Sequence, residues 1–168
     1  MLNADNIVEI LGLTSHPEGG FYRENYRSSD IFKPVRDNGS STGAERNLAT
    51  SIFFLLKGKQ VSAFHRLKSD EIWYYHMGSP LKIYFIDKKG ELSIHCMGVD
   101  ILNDQKLQLI IPKETIFAAE IIDKESYTLL GCLVTPGFCF DDFELTKRDY
   151  LLEKYPQHSD IILRLTNN

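Results

Sequence analysis

Cysteine is scarce in this sequence and none of it is paired. Three cysteines occur, Cys96, Cys132 and Cys139, and no two of them form a C-x-x-C pair. An odd number at wide spacing argues against a disulfide framework and against a zinc knuckle. Reduced thiols in the cytoplasm are the expected state, and Cys139 has no neighbouring base in the sequence that would make it a nucleophile.

Other features are missing as well. The first residues, M-L-N-A-D-N-I-V-E-I, contain no basic segment and no long apolar run, so neither a signal peptide nor a transmembrane span is predicted. The net charge is −4 without a block of like charges, which gives no reason to expect nucleic-acid or membrane binding. No phosphate-loop motif occurs. A hydrophobic share of 43% and a charged share of 25% are typical of a globular chain, and we predict one domain over residues 1–168.

Short apolar segments separated by turn residues predict an all-β domain, a sandwich or small barrel rather than βαβ units. The candidate strands are 21–28, 49–56, 61–65, 71–76, 81–87, 91–97, 106–111, 115–121 and 127–134. Helical spacing is confined to the two ends, at residues 4–13, from Thr146 to a break at Pro156, and over 157–165. The polar segment from Ser29 to Glu45 is predicted to be a mobile loop.

The stretch from Ser62 to Gly78, S-A-F-H-R-L-K-S-D-E-I-W-Y-Y-H-M-G, concentrates the chemistry of the chain. It holds two of the five histidines, the only tryptophan and two adjacent carboxylates. Buried strands rarely carry so many titratable groups without a function. The functional site is therefore expected here.

This stretch resembles the first sequence motif of the cupins, the double-stranded β-helix barrels. Gly58 takes the place of the opening glycine, His65 of the first histidine, Glu71 of the glutamate and Gly78 of the closing glycine. Leu67 stands where the motif has its second histidine.

The second cupin motif is only partly present. Pro112 fits it, whereas Glu114 replaces the glycine and Phe117 replaces the histidine. Further stretches look like a small single-domain, type-5 branch of the cupins: H-P-E-G-G-F-Y-R-E-N-Y-R-S, S-I-F-F-L-L, S-D-E-I-W and P-G-F-C-F-D-D-F-E-L. The resemblance implies a jelly-roll barrel of two antiparallel sheets, commonly dimeric, with a ligand cavity at one end. It implies no known reaction.

Cupin metal sites combine imidazoles with a carboxylate around a divalent ion. The resemblance leaves only His65 and Glu71 for that purpose, and His76 could join them if a β-bulge turned it inward. Regular alternation places Glu71, Trp73 and Tyr75 on one face and Ile72, Tyr74 and His76 on the other. We expect no cofactor, or at most a weakly bound divalent metal on His65, Glu71 and His76.

His65 has two readings that the sequence leaves open, a core histidine satisfied by its neighbours or an acid–base group. We predict His65 and Tyr75 as the catalytic pair. The predicted ligand contacts are Glu71, Trp73, Phe117, Arg66 and Tyr84.

The H-P-E-G-G loop is predicted to be a structural turn that directs the strand after it. The alternative is that Glu18, Tyr22 and Arg23 reach the cavity. The P-G-F-C-F-D-D-F segment is predicted to pack Phe138, Phe140 and Phe143 against the barrel.

Three functions stay open at this point. The first is a small-molecule-binding cupin acting as a metal-independent isomerase or epimerase on a sugar-like or small polar metabolite. The second is a non-catalytic metabolite-binding or sensing module, and the third is a metal-binding cupin with His76 or Glu18 as a substituted ligand. We also expect a homodimer that uses strand 21–28, and no nucleic-acid or membrane partner.

Overall fold

Two antiparallel β-sheets face each other in a computed structural model that describes residues 3–33 and 43–167. The strands are β1 (Thr14–Ser15), β2 (Phe21–Arg27), β3 (Ile31–Phe32), β4 (Arg46–Asn47), β5 (Thr50–Lys57), β6 (Val61–Leu67), β7 (Asp70–Gly78), β8 (Leu81–Ile86), β9 (Leu92–Met97), β10 (Gln108–Ile111), β11 (Ile116–Ile121), β12 (Tyr127–Thr135) and β13 (Phe143–Leu145). The helices are α1 (Ala4–Leu11), α2 (Arg148–Lys154) and α3 (Ser159–Arg164), and short 3₁₀ turns cover Ile101–Asn103, Phe140–Asp142 and Pro156–His158.

The order of the strands in the two sheets identifies the type of fold. One sheet has six strands in the order β1-β2-β5-β12-β7-β10, and the other has five in the order β13-β6-β11-β8-β9. Strands that follow each other in sequence, such as β5 and β6 or β7 and β8, lie in opposite sheets. This is a jelly roll, and it confirms the predicted all-β class with short terminal helices.

Aromatic and aliphatic side chains fill the space between the sheets. The fully buried members include Phe54, Trp73, Ile83, Phe117 and Leu130. Burying such side chains contributes about 1.5–3 kcal/mol each. They fill one end of the space between the sheets.

The helices cover the outer faces of the two sheets. α1 begins at Asn3, whose side chain accepts a hydrogen bond from the backbone N–H of Asn6, and it packs Ile7 against the six-stranded sheet. α2 and α3 pack Leu151 and Ile162 against the outer face of the five-stranded sheet. Within the described ranges no helix is both long and apolar enough to cross a membrane.

The predicted elements differ from the observed ones mainly at short strands. Ile31–Phe32 pairs with Arg46–Asn47, so the segment expected to be a loop from Ser29 to Glu45 contains the short strand β3. The rest of that prediction, residues 34–42, lies outside the described residues. Strands β1 and β13 were not predicted either, because two or three residues carry too little alternation to be recognised.

Candidate functional site

A cavity of about 540 Å³ lies between the sheets, away from the filled end. Its buried lining residues, here called the floor, include Glu18, His65, Glu71, Trp73 and Cys132. Its exposed lining residues, here called the mouth, include Glu24, Arg27, Glu45 and Phe140. The polar groups of the floor are therefore separated from bulk water by the protein.

Glu18 is the centre of the floor, and it comes from the H-P-E-G-G loop rather than from a strand. Its Oε1 accepts a hydrogen bond of 2.8 Å from the hydroxyl of Ser62. Its Oε2 lies 3.2 Å from Nε2 of His65 and 3.4 Å from Nδ1 of His16. Both histidine side chains are less than 10% exposed, so the whole cluster is enclosed.

Hydrogen bonds fix the tautomers of the two histidines. Nδ1 of His65 lies 2.7 Å from the carbonyl oxygen of Ala63, which can only accept, so this nitrogen carries the proton. Nε2 of His65 then offers a lone pair to Glu18. Nδ1 of His16 accepts the backbone N–H of Glu18 at 3.3 Å and is also unprotonated. A proton on Oε2 of Glu18 can therefore be donated to Nε2 of His65, which makes that contact favourable.

Burial favours the uncharged form of each of these groups. It raises the pKa of the Glu18 carboxyl and lowers the pKa of His16. It lowers the pKa of His65 to about 4, against a partial rise from the hydrogen bond to Ala63. Desolvation therefore favours the neutral carboxyl of Glu18 and the neutral imidazoles of His16 and His65 over their charged forms.

A β-bulge in β6 brings two of these contacts together. Phe117 pairs with His65, but Ala119 pairs with Ser62, so β6 carries one extra residue there. Regular alternation would place Ser62 and His65 on opposite faces, whereas the bulge turns both toward Glu18. The same irregularity frees the N–H of Ala63 to donate to the carbonyl oxygen of Glu18 at 2.8 Å.

Two glycines allow the loop to lie against the sheets. Gly19 has φ +113°, and a Cβ there would come within 2.1 Å of the carbonyl oxygen of Val61. Gly20 has φ +71°, and its Cβ would come within 2.6 Å of the carbonyl oxygen of Leu55. Only glycine fits this backbone conformation and this close contact. The two glycines therefore let the loop lie close enough to the sheets to place Glu18 inside the barrel.

Glu71 and Trp73 on β7 supply the second polar part of the floor. Glu71 is 7% exposed and Trp73 is 1% exposed. Among the described residues, neither Oε2 of Glu71 nor Nε1 of Trp73 has a hydrogen-bond partner. Burial, with the nearby Glu18 as the smaller cause, raises the pKa of Glu71 to about 8, while the adjacent Trp73 indole N–H acts to lower it.

Aromatic rings form the wall between floor and mouth. The ring centroid of His16 lies 4.7 Å from Tyr22 and 5.7 Å from Phe143, and Phe138 lies 5.0 Å from Phe140. The predicted packing of Phe138, Phe140 and Phe143 against the barrel is therefore present, and these rings also line the cavity. The wall offers flat apolar surface to a ligand.

The charged groups of the mouth are already paired. Arg27 forms an ion pair with Glu24 at 2.7 Å, and its guanidinium also donates to Asn47. Arg46 forms an ion pair with Asp142. Each arginine therefore has an anionic partner, and neither presents a free cation to the cavity.

Of the predicted site residues, the structure brings His65, Glu71 and Trp73 together at the floor. Phe117 lies directly behind them, with its ring centroid 4.0 Å from His65, but it does not border the cavity. Tyr75 packs toward the core at the far end, where its hydroxyl donates to the carbonyl oxygen of Gly78. The predicted pair of His65 and Tyr75 is therefore not assembled.

Three further predicted residues need correction. Tyr84 lies under α3 on the outer face of the five-stranded sheet, hydrogen-bonded to Glu120, because β8 is buried on both faces. Arg66 points outward and pairs with Glu144. A β-bulge, which His76 would need in order to turn inward, does lie near it, between the pairs of Tyr75 and Met77. It leaves His76 exposed beside Phe53 rather than turned inward.

The residue that the sequence assigned only as an alternative is Glu18. Its contact with His65 joins positions far apart in the chain, and no local sequence pattern predicts this contact. The two adjacent glycines were the available signal, because they indicate a close backbone approach. Tyr22 also reaches the cavity, whereas Arg23 donates to the carbonyl oxygen of Leu11 outside it.

The usual cupin metal site does not match this donor set. Within residues 3–33 and 43–167, no group of three or more His, Cys, Asp or Glu side chains is arranged to hold a metal ion. His65 and Glu18 point at each other, whereas ligands direct their lone pairs at one common point.

Comparisons with known proteins place the chain among relatives of the same size. Residues 5–146 match the family described as "Cupin superfamily (DUF985)". An X-ray structure of a protein from Shewanella oneidensis is 42% identical with a TM-score of 0.90, and the match covers 99% of each chain. A hypothetical protein from Leishmania major is 32% identical with a TM-score of 0.86, covering 99% of this chain and 100% of that one.

A more distant likeness concerns the fold alone. Oxalate decarboxylase from Bacillus subtilis is 13% identical with a TM-score of 0.51, covering 90% of this chain and 40% of that one. A search of curated proteins found no match.

Proposed function

Since the chain belongs to the DUF985 family of the cupin superfamily, we propose that it binds a small metabolite in its cavity and transfers protons on it. The proposal is a metal-independent isomerase or epimerase. Its carrying observation is the floor, where Glu71 keeps an unpartnered oxygen opposite the paired Glu18 and His65. Cavities with a few convergent polar groups and shifted pKa values are typical of active sites.

The floor holds two kinds of proton site. Glu18 and His65 share one proton over 3.2 Å. The pair becomes positively charged when it takes up a second proton, and Glu71, which becomes negatively charged as it gives one up, compensates that charge. Glu71 is a second proton donor, since burial raises its pKa to about 8 and its Oε2 has no hydrogen-bond partner among the described residues. A carbonyl compound bound between them could lose an α-proton to the pair while Glu71 donates to its oxygen, which is the chemistry of enolisation.

The experiment follows deuterium. A thermal-shift screen of small carbonyl compounds and sugars identifies a binder, which mass action requires to raise the melting temperature. That compound is then incubated with the protein in D₂O, and incorporation at carbon next to the carbonyl is followed by NMR. We expect incorporation with the wild type and a loss of at least about 100-fold in Glu18→Gln and His65→Asn, the size typical of a lost acid–base group.

Controls separate chemistry from folding. Tyr75→Phe removes the hydroxyl that the sequence assigned as the catalytic acid and should leave deuterium incorporation unchanged. Incorporation that persists in both Glu18→Gln and His65→Asn contradicts the proton-transfer part.

The second candidate is a non-catalytic binding or sensing module. It is favoured by the enclosure of His65, which is 2% exposed and engaged on both ring nitrogens. It predicts the same thermal shift without deuterium incorporation, so one experiment distinguishes the two candidates.

A further inference from the structure

Two neighbouring buried groups of the floor lack a partner. Glu71 and Trp73 are 7% and 1% exposed. The Trp73 indole N–H lies close enough to the Glu71 carboxyl to act on its pKa, but neither Oε2 of Glu71 nor Nε1 of Trp73 forms a hydrogen bond of good geometry with a described residue. Leaving such groups unpaired costs about 1–3 kcal/mol each. Both residues border the cavity, so a molecule inside the cavity can supply the missing partner.

The chemistry of the two groups decides what that partner is. An indole N–H can only donate. A protonated Glu71 has a hydroxyl to donate, and it holds its proton because the charged form would be desolvated. Two adjacent donors match one acceptor atom with two lone pairs. A carbonyl oxygen is such an atom, and unlike a hydroxyl it brings no donor of its own that would need a further partner.

The surroundings exclude a free anion as the best ligand. On the described lining of the cavity, the guanidinium groups of Arg27 and Arg46 are already paired with Glu24 and Asp142. A bound carboxylate would therefore be desolvated without a free cation to compensate it. The aromatic wall instead suits a flat, uncharged body.

We propose that Trp73 Nε1–H and the Glu71 carboxyl together bind the carbonyl oxygen of a flat, uncharged ligand whose body lies among the phenylalanine rings of the wall. This inference rests on the proposed function of the cavity and names the ligand class. It makes Trp73 and Glu71 the residues that determine ligand specificity.

The test compares acetophenone with ethylbenzene by isothermal titration calorimetry. The two molecules share a ring and a two-carbon side chain and differ in the carbonyl oxygen. Ethylbenzene is the more apolar, so an apolar cavity alone would prefer it. We expect acetophenone to bind at least about tenfold more tightly, since one satisfied hydrogen bond corresponds to about that factor.

Variants of the two donors locate the effect. Trp73→Phe keeps an aromatic ring but removes the N–H, and Glu71→Leu removes the carboxyl; each should abolish the preference for acetophenone while retaining ethylbenzene binding. Glu71→Gln keeps a donor of similar shape and should retain the preference. Circular dichroism checks that each variant is folded, and Tyr75→Phe, at the far end of the core, is the remote control.

The pH profile tests the donor role of Glu71 in the wild type alone. A carboxylate cannot donate and repels a carbonyl oxygen, so acetophenone affinity should fall as the pH rises through about 8, the pKa of Glu71. Glu71→Gln should be flat over the same range. Titratable groups that share the cavity with Glu71 are Glu18 and His16 from the loop, Tyr22 from β2, His65 from β6, Cys132 from β12, Cys139 from the segment before β13, and Glu24, Arg27, Glu45 and Arg46 at or near the mouth.

Two of these groups need their own control. Burial raises the pKa of the Cys132 thiol well above its ordinary value, so it stays neutral through this range. The pKa of Glu18 is also raised, and Glu18→Gln should keep the pH response if Glu71 causes it.

The outcomes separate this inference from the proposed function. Equal affinity for both probes overturns carbonyl recognition and leaves small-molecule binding standing. Tighter binding of benzoate than of acetophenone overturns the uncharged class. Failure of the thermal-shift panel and of both probes to bind overturns the proposed function together with the inference.

Discussion

At the scale of single residues, burial of the Glu71 carboxyl makes the stability of the fold depend on pH. Its pKa is raised from 4.5 to about 8 by burial. Above pH 4.5 the unfolded chain releases this proton while the folded protein keeps it, so stability falls as the pH rises, until the folded carboxyl itself ionises at about 8. A buried acid without a partner is a cost that a ligand could offset.

Glu71→Gln should remove this pH dependence. Between pH 4.5 and 8 the free energy of unfolding of the variant should gain on that of the wild type by about 1.4 kcal/mol per pH unit. Urea denaturation at several pH values measures it, and Glu91→Gln on the surface controls for the loss of one carboxyl. A difference between Glu71→Gln and wild type that does not change with pH would show that Glu71 is not held protonated.

His65 makes the stability of the fold depend on pH in the opposite sense and at lower pH. Its pKa is lowered from 6.5 to about 4. Between these pH values the unfolded chain therefore binds a proton at His65, whereas the folded protein does not. Its contribution to stability is present above pH 6.5 and decreases as the pH falls from 6.5 toward 4. We expect His65→Asn to be less sensitive than the wild type to acid between these values, which thermal unfolding at pH 4, 5 and 6 would measure.

At the scale of elements, the H-P-E-G-G loop determines where the acid lies. Gly19→Ala would place a Cβ 2.1 Å from the Val61 carbonyl oxygen at φ +113°, so the loop must move. We expect it to lower the free energy of unfolding by more than about 2 kcal/mol, since a left-handed backbone alone costs about 1–2 kcal/mol. Loss of probe binding should accompany it because Glu18 moves with the loop.

Gly58→Ala is the matched control for this prediction. Gly58 also has a positive φ, +59°, but its nearest neighbour would be 3.6 Å from the new Cβ. It should cost about 1–2 kcal/mol from backbone strain alone and leave the cavity unchanged. Equal losses in both variants, measured by urea denaturation, would contradict a steric role for Gly19.

The C-terminal helices offer a second prediction at this scale. Leu151 on α2 is fully buried against the five-stranded sheet, whereas Leu163 on α3 is 51% exposed. Leu151→Ala should lower the free energy of unfolding by about 2–5 kcal/mol through the lost contacts and the remaining void. Leu163→Ala should change it by less than about 1 kcal/mol, and similar losses in both would mean that α2 contributes little to the core.

Elements also show why the sequence predicted only part of the site. Alternation in β7 correctly grouped Glu71 with Trp73, because that pattern depends only on the strand itself. The bulge in β6 depends on pairing with β11, and the position of Glu18 depends on contacts with β6. Tyr84 was misassigned because a strand buried on both faces gives no polar side to indicate which face borders the cavity.

At the scale of the whole molecule, the all-β jelly roll could be predicted because its strands are short, apolar and separated by clear turn residues. The shape of the cavity could not be predicted from the sequence. Phe138, Phe140 and Phe143 were expected to pack on the barrel, but that they form one wall of an open space follows from the sheet separation, which no local pattern specifies.

The homodimer stays a prediction. β1 pairs with β2 only at Tyr22 and Phe21, so among the described strands none lies beside the outer edge of β2 from Arg23 onward. Such an edge pairs readily with a second copy. Light scattering should give about twice the monomer mass of 19.3 kDa, and a monomer at micromolar concentration would contradict the prediction.

A charge on that edge should weaken the dimer. Tyr26 on β2 is 54% exposed, and Leu102, in the 3₁₀ turn between β9 and β10, is 94% exposed. Tyr26→Asp should raise the dimer dissociation constant at least about tenfold through like-charge repulsion between copies. Leu102→Asp should not change it, and the reverse result would place the interface at the turn that contains Leu102 instead of at β2.

The way in which Glu18 is anchored has a practical consequence for engineering. Its backbone carbonyl and its carboxyl are both tied to β6, through Ala63 and Ser62, whereas the phenylalanine rings come from the segment before and within β13. Ring substitutions at Phe138 or Phe140 could therefore be used to alter selectivity while the proton-bearing groups stay in register. The barrel would serve as a scaffold whose recognition and chemistry can be redesigned one at a time.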